Sequence, residues 1–573
     1  MPVTNEQVAR ILDEQADLLA LSGADAFRVR AYHKAARSIA GLSKSVALLV
    51  ATGQDLEQIP GIGEALAETV RTIVKTGAAP GKTRSKTLPA GLVELVAVPG
   101  LGPKRARQLF AAGITSRADL ESAASEGRLQ SLPGFGATLE ATLLEALQAQ
   151  PGGPPPRSIR PFLVPVADQL RQTIAKAKGV EGVEAAGSYR RRRDTVADLD
   201  FVAVGDADAA MDALAGHADV AKVLNRGPTK MSVRLSKGLQ VDLRVVPAES
   251  FGAALVYFTG SKDHNVALRA LAAAKEWKLN EYGLFAGTKQ LAGATEEGVY
   301  KALGLAPIPP ELREDRGEVQ AAQGGKMPRL VEMSDLQGDL HTHTNATDGQ
   351  SSLESMAKAA IKRGLRYMAV TDHTPRTAIA GGMPWARFQA QFKLVDRLNR
   401  GFEDKGVDFR ILKGAEVDIL KDGRLDLPAK AFNDLEVVVA SLHFREDQSP
   451  TELTERALTA MASGRAHILG HPSGRMMGKR DPIEHDWMRL IDAAKDQGWA
   501  FECDGAPRRQ DLWDTVVHHC KKAGVRISID SDAHATNELG YIQWSLDQAR
   551  RGWMEKDDVL NTRSADDLLK LLA

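Results

Sequence analysis

A rhythm between residues 338 and 534 constrains the fold of this chain most. Seven apolar stretches recur there, GDLHTHT, RYMAVTDH, FRILKGAEVD, LEVVVASLH, AHILGHP, AFECDG and RISIDSDAH, and most end in a potential ligand. Helical-looking segments alternate with them. That alternation predicts a parallel α/β barrel, whose chemistry gathers at the C-terminal ends of its strands. The groups collected there are His341, His343, Asp348, His373, Glu416, His443, His471, Asp532 and His534. One histidine at a strand end is more often structural. So many, at the same end of different strands, predict a metal cluster, and imidazole with carboxylate suits Mn²⁺, Zn²⁺ or Fe²⁺.

A second constellation lies upstream. Gly187-Ser188-Tyr189 precedes four arginines, Arg190 to Arg193, and then DTVADLDFV ending at Val202. In a strand, Asp198 and Asp200 point to one face. Two carboxylates held that close repel unless a cation sits between them, and oxygen ligands suit Mg²⁺ or Mn²⁺. Gly187, Ser188 and the arginines suit a triphosphate. In LQVDLRVVP, Asp242 stands between apolar neighbours and would complete a three-carboxylate site for two metals; pairing with Arg244 is the bland alternative. Tyr257-Phe258-Thr259-Gly260-Ser261 adds an aromatic pair beside a glycine turn, suited to stacking on a base or sugar.

The front of the chain reads as short amphipathic helices over residues 4–77, with Asn5 as a candidate cap of the first. Pro60-Gly61-Ile62-Gly63 then leads into a helix. The pattern returns at Pro99-Gly100-Leu101-Gly102-Pro103-Lys104-Arg105 and at Pro133-Gly134-Phe135-Gly136. Such helix–hairpin–helix turns aim backbone N–H groups at a DNA phosphate. Gly61, Gly63, Gly100, Gly102 and Lys104 are the candidate DNA contacts, while the third copy, with Ala137 and Thr138, reads equally as structural. A Pro/Gly linker over 149–158 marks a domain boundary, and residues 305–335 read as a linker with a charged helix.

Bulk composition agrees with several domains. The 573 residues are 43% hydrophobic and 26% charged with zero formal net charge, so composition alone names no nucleic-acid binder. Residues 331–573 carry about −5 and residues 1–330 about +5. Two cysteines, Cys503 and Cys520, make no disulfide framework and fit a reducing cytoplasm. The start lacks a signal-peptide core and no apolar run approaches a membrane span, so no membrane partner is expected.

Taken together and in order, G-S-Y-R-R, D-L-D, V-D-L-R and Y-F-T-G-S resemble the family X DNA polymerases over roughly residues 1–325. The resemblance implies gap filling by template-directed nucleotide addition to gapped or primer-template DNA from deoxynucleoside triphosphates. It implies that Asp198 and Asp200 hold both metals, with Asp242 joining the catalytic one. It gives Ser188 and Arg191 the β/γ phosphates, with Gly187 allowing close approach. Tyr257, Phe258 and Gly260 would line the sugar pocket, and Asn265 and Arg269 would meet the nascent pair and template. Thr69 stands where that family's Schiff-base lysine would fall, which argues against a lyase. Gln240 and Lys262 also depart from the pattern, near the third aspartate and the incoming base.

Residues 335–573 resemble the PHP (polymerase and histidinol phosphatase) domain through H-T-H, T-D-H, G-A-E, S-L-H, G-H-P and D-A-H. That implies up to three ions, Mn²⁺ or Zn²⁺, and a metal-dependent 3′→5′ exonuclease. Arg475, with Lys479 and Arg480, is the candidate for holding DNA phosphate, and a solvated loop is the bland alternative. Asp504 and Cys503 read as support for the fold or for the ligands.

The expected fold class is thus multidomain. It comprises all-α helix–hairpin–helix domains at 1–80 and 81–150, an α+β nucleotidyltransferase palm at 157–250, a thumb at 251–320 and an α/β seven-stranded PHP barrel at 335–573. A monomer is expected. The alternatives are a template-independent or small-molecule nucleotidyltransferase joined to a phosphatase, a polymerase whose PHP domain acts as a scaffold, and a non-catalytic DNA-end scaffold.

Overall fold

The computed structural model describes residues 5–21, 24–40, 42, 46–51, 53–79, 95–96, 98, 101–136, 139–140, 143–144, 147 and 157–573. Two compact units divide at Pro156 and Arg157; residues 149–156 of the expected linker lie outside the described residues.

The first unit is helical. Val8 and Leu12 of the helix Asn5–Leu21 pack on Ala35 and Ile39 of Ala26–Ala40 and on Val70 and Ile73 of Glu64–Thr76. Asn5 lies inside the first helix, and its side chain accepts from the Val46 N–H at 2.7 Å, at the start of a later helix. Gly61 turns the first hairpin with φ +86°, and a Cβ there would press on the Lys34 stem at 2.8 Å. Gly63 then caps Glu64–Thr76. Thr69 is 6% exposed and bonds the Ala65 carbonyl at 2.9 Å, so that position faces the core.

In the second unit, five strands make a mixed sheet: β1 (Val180–Ala185), β2 (Asp198–Gly205), β3 (Val220–Arg226), β4 (Lys230–Leu235) and β5 (Gln240–Val246), in the order β1-β2-β5-β4-β3. β2 and β5 are parallel; the other neighbours are antiparallel. The period of two decides the faces. Leu199, Phe201 and Ala203 of β2 join Val241, Leu243 and Val245 of β5 in one core. Val202, Val204 and Val246 turn the other way, onto Ala254 and Leu255 of the helix Phe251–Thr259. Asp198, Asp200 and Asp242 belong to that second face. Three short antiparallel strands follow, β6 (Trp277–Asn280), β7 (Gly283–Ala286) and β8 (Lys289–Ala292).

The rest is the barrel. β9 (Gly338–Thr342), β10 (Tyr367–Val370), β11 (Arg410–Asp418), β12 (Val437–Ser441), β13 (Ile468–Gly470), β14 (Ala500–Asp504) and β15 (Ile527–Asp530) pair in sequence order, all parallel. A bridge between Thr342 and Ala533, with His343 N–H on the Ala533 carbonyl at 2.9 Å, nearly closes the ring. Leu340, Ala369, Leu412, Val439 and Ile468 form a core with Leu568 of the C-terminal helix. Both cysteines are free and buried.

Segment 305–335 is more than a linker. Glu311, Arg313, Glu314 and Glu318 are buried or nearly so and bond to the palm, the thumb or the barrel. Their charge reads as solvated in sequence because their partners are distant in the chain. No helix among the described residues is long and apolar enough to cross a membrane.

Candidate active sites

Strand register builds the palm site. β2 and β5 run side by side with Asp198 opposite Gln240 and Asp200 opposite Asp242. Burial, then the neighbouring Asp198 and Asp242, push Asp200 up to about 7. Burial and Asp242 likewise raise Asp198. Like charges gathered this way fit a divalent cation, which would relieve both effects. Gly187 adopts φ +61°, and a Cβ there would meet the Asp200 carboxylate at 2.2 Å. The glycine is therefore demanded by the aspartate as well as by any phosphate. Gln240 donates to Asp242 at 3.2 and 3.4 Å, so this departure from the family pattern steadies the third carboxylate.

A cleft of about 370 Å³ opens on this face. Gly187, Ser188, Arg191, Asp198 and Asp200 line one part; Tyr257, Phe258, Gly260, Asn265 and Arg269 line another, with Lys262 among them. Asn265 donates to the Tyr257 carbonyl at 2.7 Å, and Arg244 lies over the Phe258 ring at 5.1 Å. Arg190, Arg192 and Arg193, which the sequence groups with Arg191, are ion-paired to other parts of the chain. Arg190 grips Glu296 at 2.6 and 2.8 Å, Arg192 meets Asp547 at 2.7 Å, and Arg193 lies 3.7 Å from Glu314.

In the barrel, the strand ends converge on Glu416. Its Oε2 lies 2.9 Å from His373, 3.4 Å from His341 and 3.6 Å from His343; its Oε1 lies 3.0 Å from His443 and 2.9 Å from His471. Asp532 stands 3.1 Å from His343, and Asp348 stands 3.4 Å from both His373 and His534. Three groups have ligand atoms mutually within 4.8 Å: His343/Asp348/His373/His534, His341/His343/Asp532 and His373/Glu416/His443. His341 Nε2, both His343 nitrogens, His373 Nδ1, His471 Nδ1 and Glu416 Oε2 are buried with no hydrogen-bond partner among the described residues. Orphaned lone pairs at that density fit metal ions.

Electrostatically the barrel set nearly neutralises itself. Burial works against the charged forms, but His443, His373 and His341 hold Glu416 well below the usual carboxylate range. In return Glu416 and the other acids lift His373 to about 10 and His443 to about 9, against burial. Burial leaves His471 near 3 and His343 near 4.

Sequence reasoning missed three supporting groups. Glu502 accepts from His341 Nδ1 at 2.6 Å, and Asp418 holds His443 Nδ1 at 3.0 Å. Such contacts fix the ring that a metal would use. The third is Arg509, half-buried, 3.4 Å from Asp504 and 3.7 Å from Asp532, with Nη1 unpartnered among the described residues. Arg475, by contrast, is 9% exposed and spends its guanidinium on Asp194 at 3.0 Å and on the Arg509 and Gln510 carbonyls at 2.7 and 2.5 Å. A phosphate would have to displace those partners.

Of the expected DNA contacts, Gly61 and Gly63 form the first hairpin. Gly102 caps Pro103–Ala111, the helix on which Lys104 lies, and Gly100 lies outside the described residues. In the third hairpin Gly134 adopts φ +82° and Phe135 is buried; Ala137 and Thr138 lie outside the described residues.

Helix–hairpin–helix anchors, a three-aspartate palm and a histidine-rich barrel define a nucleic-acid-processing nucleotidyltransferase with a second phosphoesterase-type centre. Comparison with known proteins agrees. The Helix-hairpin-helix domain matches residues 3–79, the SAM-like Helix-hairpin-helix tandem 92–149, the DNA polymerase beta thumb 254–314 and the PHP domain 339–504. The DNA polymerase/3′-5′ exonuclease PolX of Bacillus subtilis (strain 168) is 33% identical over 570 residues, 98% of each chain. Over the barrel alone, a "Probable phosphatase" of Caldanaerobacter subterraneus is 29% identical over 235 residues, 39% of this chain and 86% of that one. One of Vibrio parahaemolyticus is 30% identical over 239 residues, 40% of this chain and 90% of that one. The chain belongs to the bacterial family X DNA polymerases that carry a C-terminal PHP domain.

Proposed function

We propose that this chain fills short gaps during DNA repair by template-directed synthesis and removes nucleotides 3′→5′ at its barrel. One observation carries the reading: two separate ligand sets in one chain, three carboxylates on a sheet face and eight grouped histidines and acids in the barrel, with His471 beside them on Glu416. The domains we assign are 1–80 and 81–150 for DNA anchoring, 157–250 for the palm, 251–320 for the thumb and 335–573 for the barrel. The substrates are gapped or primer-template DNA and deoxynucleoside triphosphates, taken by a cytoplasmic monomer.

Asp198, Asp200 and Asp242 would hold two Mg²⁺ or Mn²⁺ ions; the barrel set would hold up to three Mn²⁺ or Zn²⁺. Divalent ions supply Lewis acidity toward phosphoryl oxygens at both centres. The chain's own residues do the rest. Ser188 and Arg191 bind the β/γ phosphates, and Gly187 admits them close to the backbone. Tyr257, Phe258 and Gly260 set the sugar, while Asn265 and Arg269 read the nascent pair. In the barrel Glu502 and Asp418 orient His341 and His443, and Arg509, held by Asp504, faces the scissile phosphate. Gly61, Gly63, Gly100, Gly102 and Lys104 grip DNA backbone.

The test is primer extension on gapped DNA with and without a templating base. Extension that follows the template supports the reading; extension indifferent to it contradicts gap filling and favours a template-free transferase.

A further inference from the structure

One barrel helix, Ile542–Arg551, reaches the palm through Trp544, whose ring lies under Arg160 at 5.2 Å, and through Asp547 and Arg551. Asp547 accepts from Arg160, and from Arg192 at 2.7 Å. Arg551, 2% exposed, donates through Nη1 to the Arg191 carbonyl at 2.5 Å. Its Nη2 meets Glu314 Oε1 at 3.0 Å and Asp514 Oδ2 at 2.5 Å. The same Glu314 oxygen receives Arg191 Nε at 3.1 Å. Arg191 Nη1 donates to the Thr259 carbonyl at 2.5 Å, on the helix that carries Tyr257 and Phe258. Arg191 is therefore held from the barrel at both ends: directly at its carbonyl, and through Glu314 at its guanidinium.

We propose that Arg551 of the barrel is a positioning residue for the polymerase, fixing Arg191 at the triphosphate end of the palm cleft. This rests on reading Arg191 as a triphosphate ligand. The physical argument is the sharing of one carboxylate. Without Arg551, the half-buried Glu314 would keep Arg191 at 3.1 Å and the more distant Arg193 at 3.7 Å, and would draw the nearer guanidinium into a closer pair. Shared with Arg551, Glu314 steers Arg191 and leaves donors free for phosphate. Only a planar fork spans the Arg191 carbonyl, Glu314 and Asp514 together, so lysine at 551 keeps the charge and loses the span.

The test uses the full chain carrying Arg551→Lys, with single-nucleotide gap filling read as KM and kcat, and hydrolysis of bis(p-nitrophenyl) phosphate read for the barrel. KM for the incoming nucleotide should rise about tenfold, the scale of one lost charge-assisted contact. The polymerase kcat should stay within about twofold, and barrel hydrolysis should not change. If Arg551 acts through Arg191, the double variant Arg191→Ala/Arg551→Lys should have no higher KM than Arg191→Ala alone. Glu314→Gln, which breaks the same bridge from its middle, should repeat both results and serves if Arg551→Lys fails to fold.

A raised KM in Arg191→Ala with an unchanged KM in folded Arg551→Lys overturns the proposal alone. So do fully additive effects, or equal loss of both activities. An unchanged KM in Arg191→Ala removes the triphosphate reading of Arg191, and the proposal with it.

Discussion

The two centres of this chain handle charge in opposite ways. The palm gathers acids on neighbouring strands, and burial, then their mutual repulsion, pushes both Asp198 and Asp200 up. The barrel interleaves acids with imidazoles, so Glu416 is held down while His373 and His443 are lifted. A site of the first kind waits on a cation for its charge balance. The second is balanced by its own protons and must release them to load metal. The palm is also open along its cleft, whereas the barrel ligands are mostly buried. An open carboxylate site suits ions arriving with a triphosphate; a buried nitrogen-rich site suits resident ones.

The sharpest break in that comparison is Glu416→Ala, which removes the residue that five histidines share. Hydrolysis at the barrel should fall by about 10³-fold or more, several kcal/mol of lost stabilisation, while primer extension stays near wild type. Next, Glu502→Gln should lower barrel activity or metal affinity about 10- to 100-fold, the usual scale for a group orienting a metal-bound imidazole. Metal titration followed by atomic absorption would measure it. Arg509→Ala and Arg475→Ala separate phosphate contact from packing. The first should cut nuclease turnover of the folded enzyme by about tenfold or more. The second should lower the midpoint, because it strands Asp194 and two carbonyls.

pH gives a gentler contrast. Asp200 must lose a proton to bind metal, so below pH of about 7 each unit of acidification should weaken magnesium binding at the palm by up to about tenfold. Calorimetry on His373→Ala, which removes a barrel ligand, would isolate that term. A flat affinity from pH 6 to 8 would contradict the shift. The smallest expected signal is none: borohydride trapping on an abasic end should give no adduct in residues 1–79, since Thr69 is buried and carries no amine.

Much of this was legible in the sequence where a residue's role depends on local period and type. The histidines and acids that cluster in the barrel sit at the ends of apolar runs, and strand periodicity aims Asp198 and Asp200 together. Long-range pairing was not legible. Nothing near Arg192 foretells Asp547, and nothing near Arg191 foretells Arg551, because a charged side chain reads as solvated until its partner is found. The crowding around Arg475 and the place of Arg509 were hidden for the same reason. Both are loop arginines near a ligand, and only the fold decides which one Asp194 and the carbonyls occupy. Glu502 was hidden inside FECDG, where alternation alone does not say which acid faces the histidines.

The central claim is that the two centres work independently in one chain. Gap filling and 3′→5′ degradation should be measured on the same labelled substrate for Asp198→Ala and His373→Ala, with folding checked by circular dichroism. The account predicts that Asp198→Ala abolishes synthesis and keeps degradation, and that His373→Ala does the reverse. Loss of both activities from either folded variant would contradict it.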